Sequence, residues 1–385
     1  MRIAILTTDN REHNRNYGAA TPCFGTAPEA LLEGFAKKTI AEIHVLSCSQ
    51  RPMRSPEKLA DNIWFHVLHV PKIGWLRTGY QGCIRAVRRR LRDIHPDIVH
   101  GQGTERDCAI SAALSGYPNV VTLHGIMREQ ARLMSAVPFT FYWLAAKLEA
   151  LVLSQTHGVF CNSAYTETVV ATRARQTWRV ANAVRQKFFE TQRSISQTQK
   201  PVLLNVGTIC QRKRQLDVLD LAEQLHRAGS SFEVFFVGTA DTGDPYVKKF
   251  LRRIDDAASV GFARYLGSKE LSSLIALFDS ASALIHVPRE EAFGLVVAEA
   301  LTRNLKLFAS DVGGIPDIAK GIEDAELFAL EDRQSLQEAI AKWLDANCPR
   351  PQSAAAIMRE RYHPEVIAQR HLEIYEEILE RGQSQ

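Results

Sequence analysis

The stretch from Leu284 to Gly321, LIHVPREEAFGLVVAEALTRNLKLFASDVGGIPDIAKG, constrains the chain more than any other. Its apolar run ending at Val287 reads as a buried strand. Pro288 stops that strand, and Arg289-Glu290-Glu291 make a short charged loop. Gly294 then opens a helix carrying Leu295, Val296, Ala298, Glu299, Ala300 and Leu301. A second apolar run, Leu305 to Ala309, feeds Asp311-Val312-Gly313-Gly314-Ile315-Pro316. Strand, loop, helix, strand, loop is the grammar of a parallel sheet whose ligands bind past the carboxyl ends of the strands.

The chemistry of the window lies in its two carboxylates. Glu291 precedes the helix, and Glu299 follows eight residues later, past the first turn. A helix start offers unpaired N–H groups and partial positive charge to phosphate oxygens, and Gly294 lets a ligand approach that backbone closely. A carboxylate accepts hydrogen bonds from neighbouring hydroxyls, as sugars and riboses present them. A phosphate cradle flanked by two such acceptors fits a nucleotide sugar better than a dinucleotide. Read as plain structure, the same window is a helix capped by an acid with a salt bridge behind it.

The rest of the chain repeats the pattern. Strands are predicted at Arg2–Thr8, Glu42–Cys48, Ile63–Val70, Asp97–Gln102, Asn119–His124 and Gly158–Ser163. Helical patterns alternate with them near Pro28–Lys38, Gln81–Asp93, Glu105–Ser115, Met127–Ser154 and Ala164–Ala174. The polar stretch Gln186 to Lys200 reads as a linker. Strands then resume at Val202–Val206, Phe232–Val237, Ala283–Val287, Leu305–Ala309 and Glu326–Leu330, with helices near Gln215–Ala228, Lys269–Ser280, Gly294–Thr302 and Arg333–Asn347. An amphipathic helix, His363–Arg381, ends the chain. The reading is α/β with three parts: 1–187, 188–362, and a tail helix over 363–385. A length of 385 residues suits two such domains.

Seven scattered cysteines without a C-x-x-C pair point to a reducing compartment. MRIAILTTDN enters a strand without a signal-peptide hydrophobic region, so the expected location is the cytoplasm. The formal charge of +4 hides an asymmetry. Residues 1–190 carry 24 Lys/Arg against 15 Asp/Glu, a balance of +9, and residues 191–385 carry 23 against 28, a balance of −5. The first half is suited to meet something anionic.

EAFGLVVAE resembles the E-x7-E signature of the family 4 retaining glycosyltransferases, and the resemblance extends over nearly the whole chain. It implies the GT-B architecture, two Rossmann-like domains facing a cleft, with the tail helix crossing back onto the first domain. It implies that Glu291 contacts the transferred sugar and Glu299 the ribose hydroxyls, with Ala292, Phe293, Gly294 and Leu295 lining the donor. VGTICQRKRQ resembles the segment that binds the donor diphosphate: Gly207 ends the strand and Lys213 matches the family's lysine. Thr208 stands where many members have arginine, and Arg212 is the candidate substitute. Gly25 in FGTA is similar to the family's N-terminal glycine loop, though one glycine of the usual pair is missing; a plain loop-to-helix turn accounts for it equally. His124 of VVTLHG matches a His-Gly position, where imidazole meets a sugar hydroxyl or phosphate; a core histidine is the alternative. Gly238 fits a base-binding edge or any strand-to-helix turn. Asn162, Ser163 and Asn182 fit cleft segments or helix caps, and Gly313-Gly314 fit backbone donors or a tight turn.

Two surface and cofactor expectations complete the reading. Between Asp61 and Asp93 there is no acid, yet Arg85, Arg88, Arg89 and Arg92 form one helical stripe opposite Ile84, Val87, Leu91 and Ile94. With Trp75 and Leu76 just ahead, this stripe suggests peripheral contact with an anionic membrane or a polyprenyl-diphosphate acceptor; a solvated face is the alternative. Nucleic acid is disfavoured because no binding module is present. No Asp-x-Asp occurs in the sequence, so metal and cofactor are expected to be none, with Lys213 and backbone N–H groups handling the diphosphate charge. The resulting expectation is a retaining, metal-independent glycosyltransferase moving sugar from a nucleotide-diphosphate donor to a glycan or lipid-linked acceptor, in cell-surface polysaccharide synthesis. An epimerase or hydrolase of nucleotide sugars, or an inactive sugar-nucleotide-binding relative, are the rivals.

Overall fold

A computed structural model describes residues 1–190, 200–323 and 325–383. They form two compact units, Met1–Gln186 together with the chain from Tyr362 onward, and Lys187–Arg361. The first unit is built on eight strands: β1 (Arg2–Leu6), β2 (Glu42–Ser49), β3 (Lys58–Ala60), β4 (Ile63–His69), β5 (Ile98–Gln102), β6 (Asn119–Leu123), β7 (Gly158–Cys161) and β8 (Thr177–Arg179). Their order is β3-β4-β2-β1-β5-β6-β7-β8, and only the β3–β4 pair is antiparallel. The second unit carries β9 (Val202–Val206), β10 (Glu233–Val237), β11 (Ala263–Tyr265), β12 (Ala283–His286), β13 (Lys306–Ser310) and β14 (Ala325–Phe328). These run parallel in the order β11-β10-β9-β12-β13-β14.

The alternation of strand side chains divides the first unit into two cores. Ala4, Leu6, Val99, Val121 and Leu123 face one side, under the helices Gln81–Ile94 and Asp107–Ala113. Ile3, Ile5, Ile98, Val120 and Phe160 face the other, under Thr26–Phe35 and the tail helix Pro364–Gln383. Both faces of a parallel sheet are covered in this way, which is why its central strands read as unbroken apolar runs. The tail helix belongs to this unit. Its Tyr375 bonds His100 Nδ1 in the core, and Gly34 is glycine because a Cβ there would fall on the Pro364 backbone.

Several elements differ from the sequence reading, each for a local reason. The single helix predicted over Met127–Ser154 is two, Met127–Leu133 and Phe141–Gln155. Pro138 lies between them, and a proline inside a helix lacks the N–H and clashes with the preceding turn. The linker predicted from Gln186 begins as a 3-10 turn, Gln186–Phe189, with both phenylalanines buried. Arg303 clamps it by donating to the Phe188 and Glu190 carbonyls at 3.0 and 2.7 Å; residues 191–199 of the predicted linker lie outside the described residues. A sixteen-residue helix, Pro245–Val260, was missed although Asp244 caps it, Pro245 opens it and Gly261 closes it in the left-handed region.

Candidate active site

In the second unit the strand order reverses between β9 and β12. Loops leaving those two strands at their carboxyl ends emerge side by side, the usual place for a ligand in an open α/β sheet. The β9 loop ends in the 3-10 turn Gln211–Lys213 ahead of helix Gln215–Arg227, and the β12 loop leads to helix Leu295–Thr302. Backbone bonds join them: the Arg289 N–H donates to the Arg212 carbonyl at 2.8 Å. Arg212 Nη1 returns a bond to the Glu290 carbonyl at 2.9 Å. Between the loops, the Lys213 ammonium pairs with Glu291 Oε2. His286, the last residue of β12, holds the same oxygen at 3.3 Å.

A third loop closes on Glu291 from behind. The Gly314 N–H donates to the Glu291 carbonyl at 3.0 Å. Gly313, at φ +60°, lies so close that any Cβ would sit on the Glu291 backbone. Gly294, at φ +102°, caps the Leu295–Thr302 helix and lets the chain turn directly from Phe293 into it. Glu299, one turn further, is 5% exposed in the helix's buried face.

Charge in this cluster is held by charge. Burial pushes the Glu291 carboxyl up, but Lys213, His286 and Arg212 outweigh it and hold the group well below the usual carboxylate range. Burial, then Lys213, push His286 down to about 4, so it stands neutral beside the pair. Arg212 is not simply available as a spare phosphate ligand, because its guanidinium is already tied to Glu290, whose carboxylate lies 3.6 Å away. Lys213's stem passes over Gly207: a Cβ on that glycine would meet Lys213 Cε at 3.8 Å. Gly238 ends the neighbouring strand against the Gly207 carbonyl, and the Ile209 N–H donates to the Thr239 carbonyl at 2.8 Å. Thr208 sits exposed between these glycine-lined ends, its hydroxyl 3.3 Å from that of Thr239.

The first unit has its own reversal, between β1 and β5, and a second group of polar residues there. His124 follows β6 and its Nε2 meets Gln102 Oε1 at 2.9 Å. Burial pushes this imidazole down to about 4, against the opposing influence of Asn182 beside it. Glu105 follows β5 and packs over Gly103 and Gly125. Burial, with the Glu149 carboxylate adding to it, pushes Glu105 up to about 7. Gly25 caps the Thr26–Phe35 helix at φ −66°, an ordinary conformation, and a Cβ there would meet only Pro28 at 3.6 Å. Its backbone therefore does not demand glycine. Ser163 is a helix cap, in a capping box with Thr166.

The structure thus brings Gly207, Arg212, Lys213, Glu291 and the Ala292–Leu295 backbone into one set of loops, with Glu299 on the helix that follows. Gly238 joins them through Gly207. Gly25 and His124 lie in the other unit, on separate loops. Two residues were missed by sequence reasoning. His286 ends a strand five residues before Glu291, a position the sequence already showed; Glu105 carried no signal, because its protonation follows from burial by distant elements. Among the described residues, one group of three metal-ligating types occurs, Cys48, Cys83 and Asp107 in the buried part of the first unit.

The model of the glycosyl transferases group 1 family matches residues 186–361, and the Glycosyltransferase Family 4 model matches residues 29–184. The chain belongs to the family 4 glycosyltransferases. It is 28% identical over 144 residues to the serotype-specific mannosyltransferase WbdA of Escherichia coli, a match to 37% of this chain and 17% of that protein. The chain therefore matches only about a sixth of this curated relative. Sucrose-phosphate synthase from Thermosynechococcus elongatus superposes with a TM-score of 0.74 at 15% identity, over 98% of this chain and 99% of that one. Anabaena HepE, solved with UDP-glucose, gives 0.74 at 17%, over 98% and 100%. These likenesses show a GT-B fold. No described helix of this glycosyltransferase is long and apolar enough to cross a membrane.

Proposed function

We propose that this glycosyltransferase is retaining and metal-independent. It takes a sugar from a nucleotide-diphosphate donor and passes it to a glycan or lipid-linked acceptor in cell-surface polysaccharide synthesis, at the cytoplasmic side. The observation that carries the reading is the Lys213–Glu291 pair at the strand-order reversal, locked by three loops. Support for the donor class comes from relatives: HepE was solved with UDP-glucose, and WbdA is a mannosyltransferase.

In this reading Lys213 neutralises the diphosphate as the sugar leaves, and Arg212 assists only by giving up its bond to Glu290. A diphosphate has to compete with Glu291 for the ammonium, so binding the donor releases Glu291 toward the sugar. Positive charge developing on that sugar is then met by a carboxylate already ionised. Glu299 accepts from the ribose hydroxyls, and the backbone from Ala292 to Leu295, with Gly207 and Gly238, leaves room for the nucleotide. The acceptor attacks on the face the diphosphate leaves, and the departing phosphate takes its proton. The pair that holds Glu291 ionised suits it to charge stabilisation in this scheme.

The test is the anomeric configuration of the product by NMR, with donor consumption followed with and without acceptor and EDTA. Retention, acceptor dependence and indifference to EDTA are the expected results. An inverted product would overturn retention, loss of turnover in EDTA would overturn metal independence, and full donor conversion without acceptor would indicate a hydrolase or epimerase.

A further inference from the structure

In the loop ahead of the arginine helix only Ile73 is an exposed large apolar residue. Trp75, expected in a surface loop beside the arginine stripe, is buried and donates from Nε1 to the Val70 carbonyl at 2.9 Å. The exposed large apolar side chains concentrate instead at the break between helices Met127–Leu133 and Phe141–Gln155. Phe139 is 82% exposed, Val137 65% and Met134 59%, with Leu133 and Phe141 also exposed. No other described stretch gathers more than two such residues. Phe139 takes φ +66°, a conformation that a bulky residue adopts only when its surroundings impose it. Its ring stands 5.3 Å from Trp143, which carries the Lys147 ammonium 5.6 Å from its ring centre.

Cationic side chains flank this tip on its own two helices. Arg128 and Lys147 are exposed, while Arg132 is paired with Glu129 at 2.8 Å. The turn before the Gln81–Ile94 helix packs on the same Phe141–Gln155 helix, with Gly79 opposite Leu148. On that helix Arg85, Arg89 and Arg92 are exposed and, among the described residues, make no ion pair. Arg88 differs: it donates to the Leu114 carbonyl at 2.5 Å.

We infer that the Leu133–Phe141 tip is a docking surface for an anionic lipid bilayer, entered by Met134, Val137 and Phe139 and held by the exposed Arg128 and Lys147 on the two helices that flank it. Apolar side chains at a tip with cations around it match the two layers of such a surface, acyl chains beneath anionic headgroups. A second copy of the chain is the competing occupant. A two-fold contact through this tip would set the basic residues against their own copies, and such like-charge placement disfavours it. The inference deepens the reading that the acceptor is lipid-linked, but its measurement is independent of the donor site.

Co-sedimentation of the full chain with vesicles tests it, comparing pure phosphatidylcholine with vesicles carrying one phosphatidylglycerol in four. Retention on the anionic vesicles, weakened by salt and about ten-fold lower on the neutral ones, is expected. Val137→Ser with Phe139→Ser should cut retention about ten-fold, and Arg128→Gln with Lys147→Gln should remove the headgroup dependence. Both variants change exposed side chains, so their melting temperatures and their stabilisation by nucleotide sugars should equal the parent's. No retention on anionic vesicles, or equal retention of the serine variant, would overturn the inference. Concentration-dependent self-association, abolished by the serine pair without any vesicle retention, would assign the tip to a second copy. Failure of nucleotide sugars to stabilise the parent would count against the donor reading alone.

Discussion

Glu291 and Glu105 occupy matching places in the two units: each follows the strand just past the reversal of its parallel sheet, and each is enclosed. Their carboxyls are nevertheless pushed in opposite directions. Glu291 has an ammonium on it and an imidazole behind it, so it stays ionised. Glu105 has burial and a second carboxylate, so its neutral form is favoured. His286 and His124 are both pushed down to about 4, with burial the largest cause in each and Lys213 adding to it at His286. What separates the two sites is Lys213 first, with His286 and Arg212 behind it. The fold supplies enclosed strand ends twice, and only the second unit puts a cation on the carboxylate there.

Removing that lysine is the sharpest way to break the comparison. Lys213→Met leaves Glu291 enclosed without its partner, a loss of about 3–5 kcal/mol, visible as a lowered denaturation midpoint. It should also abolish transfer and push the Glu291 carboxyl up, toward the behaviour of Glu105. The parent's Glu291 contribution is present above the ordinary carboxylate range and is lost as pH falls through its depressed pKa. The variant should lack that acid-side loss. Equal stability of parent and variant between pH 4 and 7 would refute the pair's energetic role.

Glu299→Ala should weaken donor binding by about 1.5–3 kcal/mol, roughly ten- to hundred-fold, with kcat changed far less. A fall in kcat at unchanged KM would assign Glu299 to the chemistry instead. Glu105 gives an effect of opposite sign in pH. Its pKa is raised to about 7, so its contribution is complete below the ordinary carboxylate range and is lost as pH rises through 7. The slope approaches about 1.4 kcal/mol per unit at most. Glu105→Gln should flatten stability between pH 5 and 7.5 in urea titrations; an unchanged slope would show that Glu105 is ionised throughout. The smallest effect is Thr208→Arg, which places a second cation at the exposed position between the glycine ends. A gain of about 1 kcal/mol or less in diphosphate binding is expected, and weaker binding would mean that Thr208 fills a role of its own.

The window that organised the sequence reading was legible because its signals are local. A β-branched run, Pro288, Gly294 and the Glu291–Glu299 spacing all lie within one strand–loop–helix unit, and the matched family confirms the membership they implied. Arg85, Arg89 and Arg92 were legible as an exposed stripe for the same reason, since helical period alone separates them from Ile84, Val87 and Leu91. What depended on distant packing was not. Trp75 looked exposed because its burial is decided by Val70, Tyr80 and the helix behind them. Glu290, placed by the sequence in a short charged loop, is 8% exposed because the β9 loop folds over it. Glu105 was invisible because protonation follows from enclosure, which no residue pattern encodes. The Pro138 break was readable in principle, and its consequence, the apolar tip, is the feature that most changes the picture of the surface.

The central claim is that Lys213 serves the diphosphate through the same contact that holds Glu291. Calorimetric titration of the parent and Lys213→Met with the preferred nucleoside diphosphate and the matching monophosphate tests it most directly. The account predicts that the variant loses about 30-fold or more in diphosphate affinity, as expected when a charged hydrogen-bond partner is removed, while monophosphate binding changes little. Equal loss for both ligands, or no loss for either, would contradict it and leave Glu291 paired to a lysine that only builds the loop.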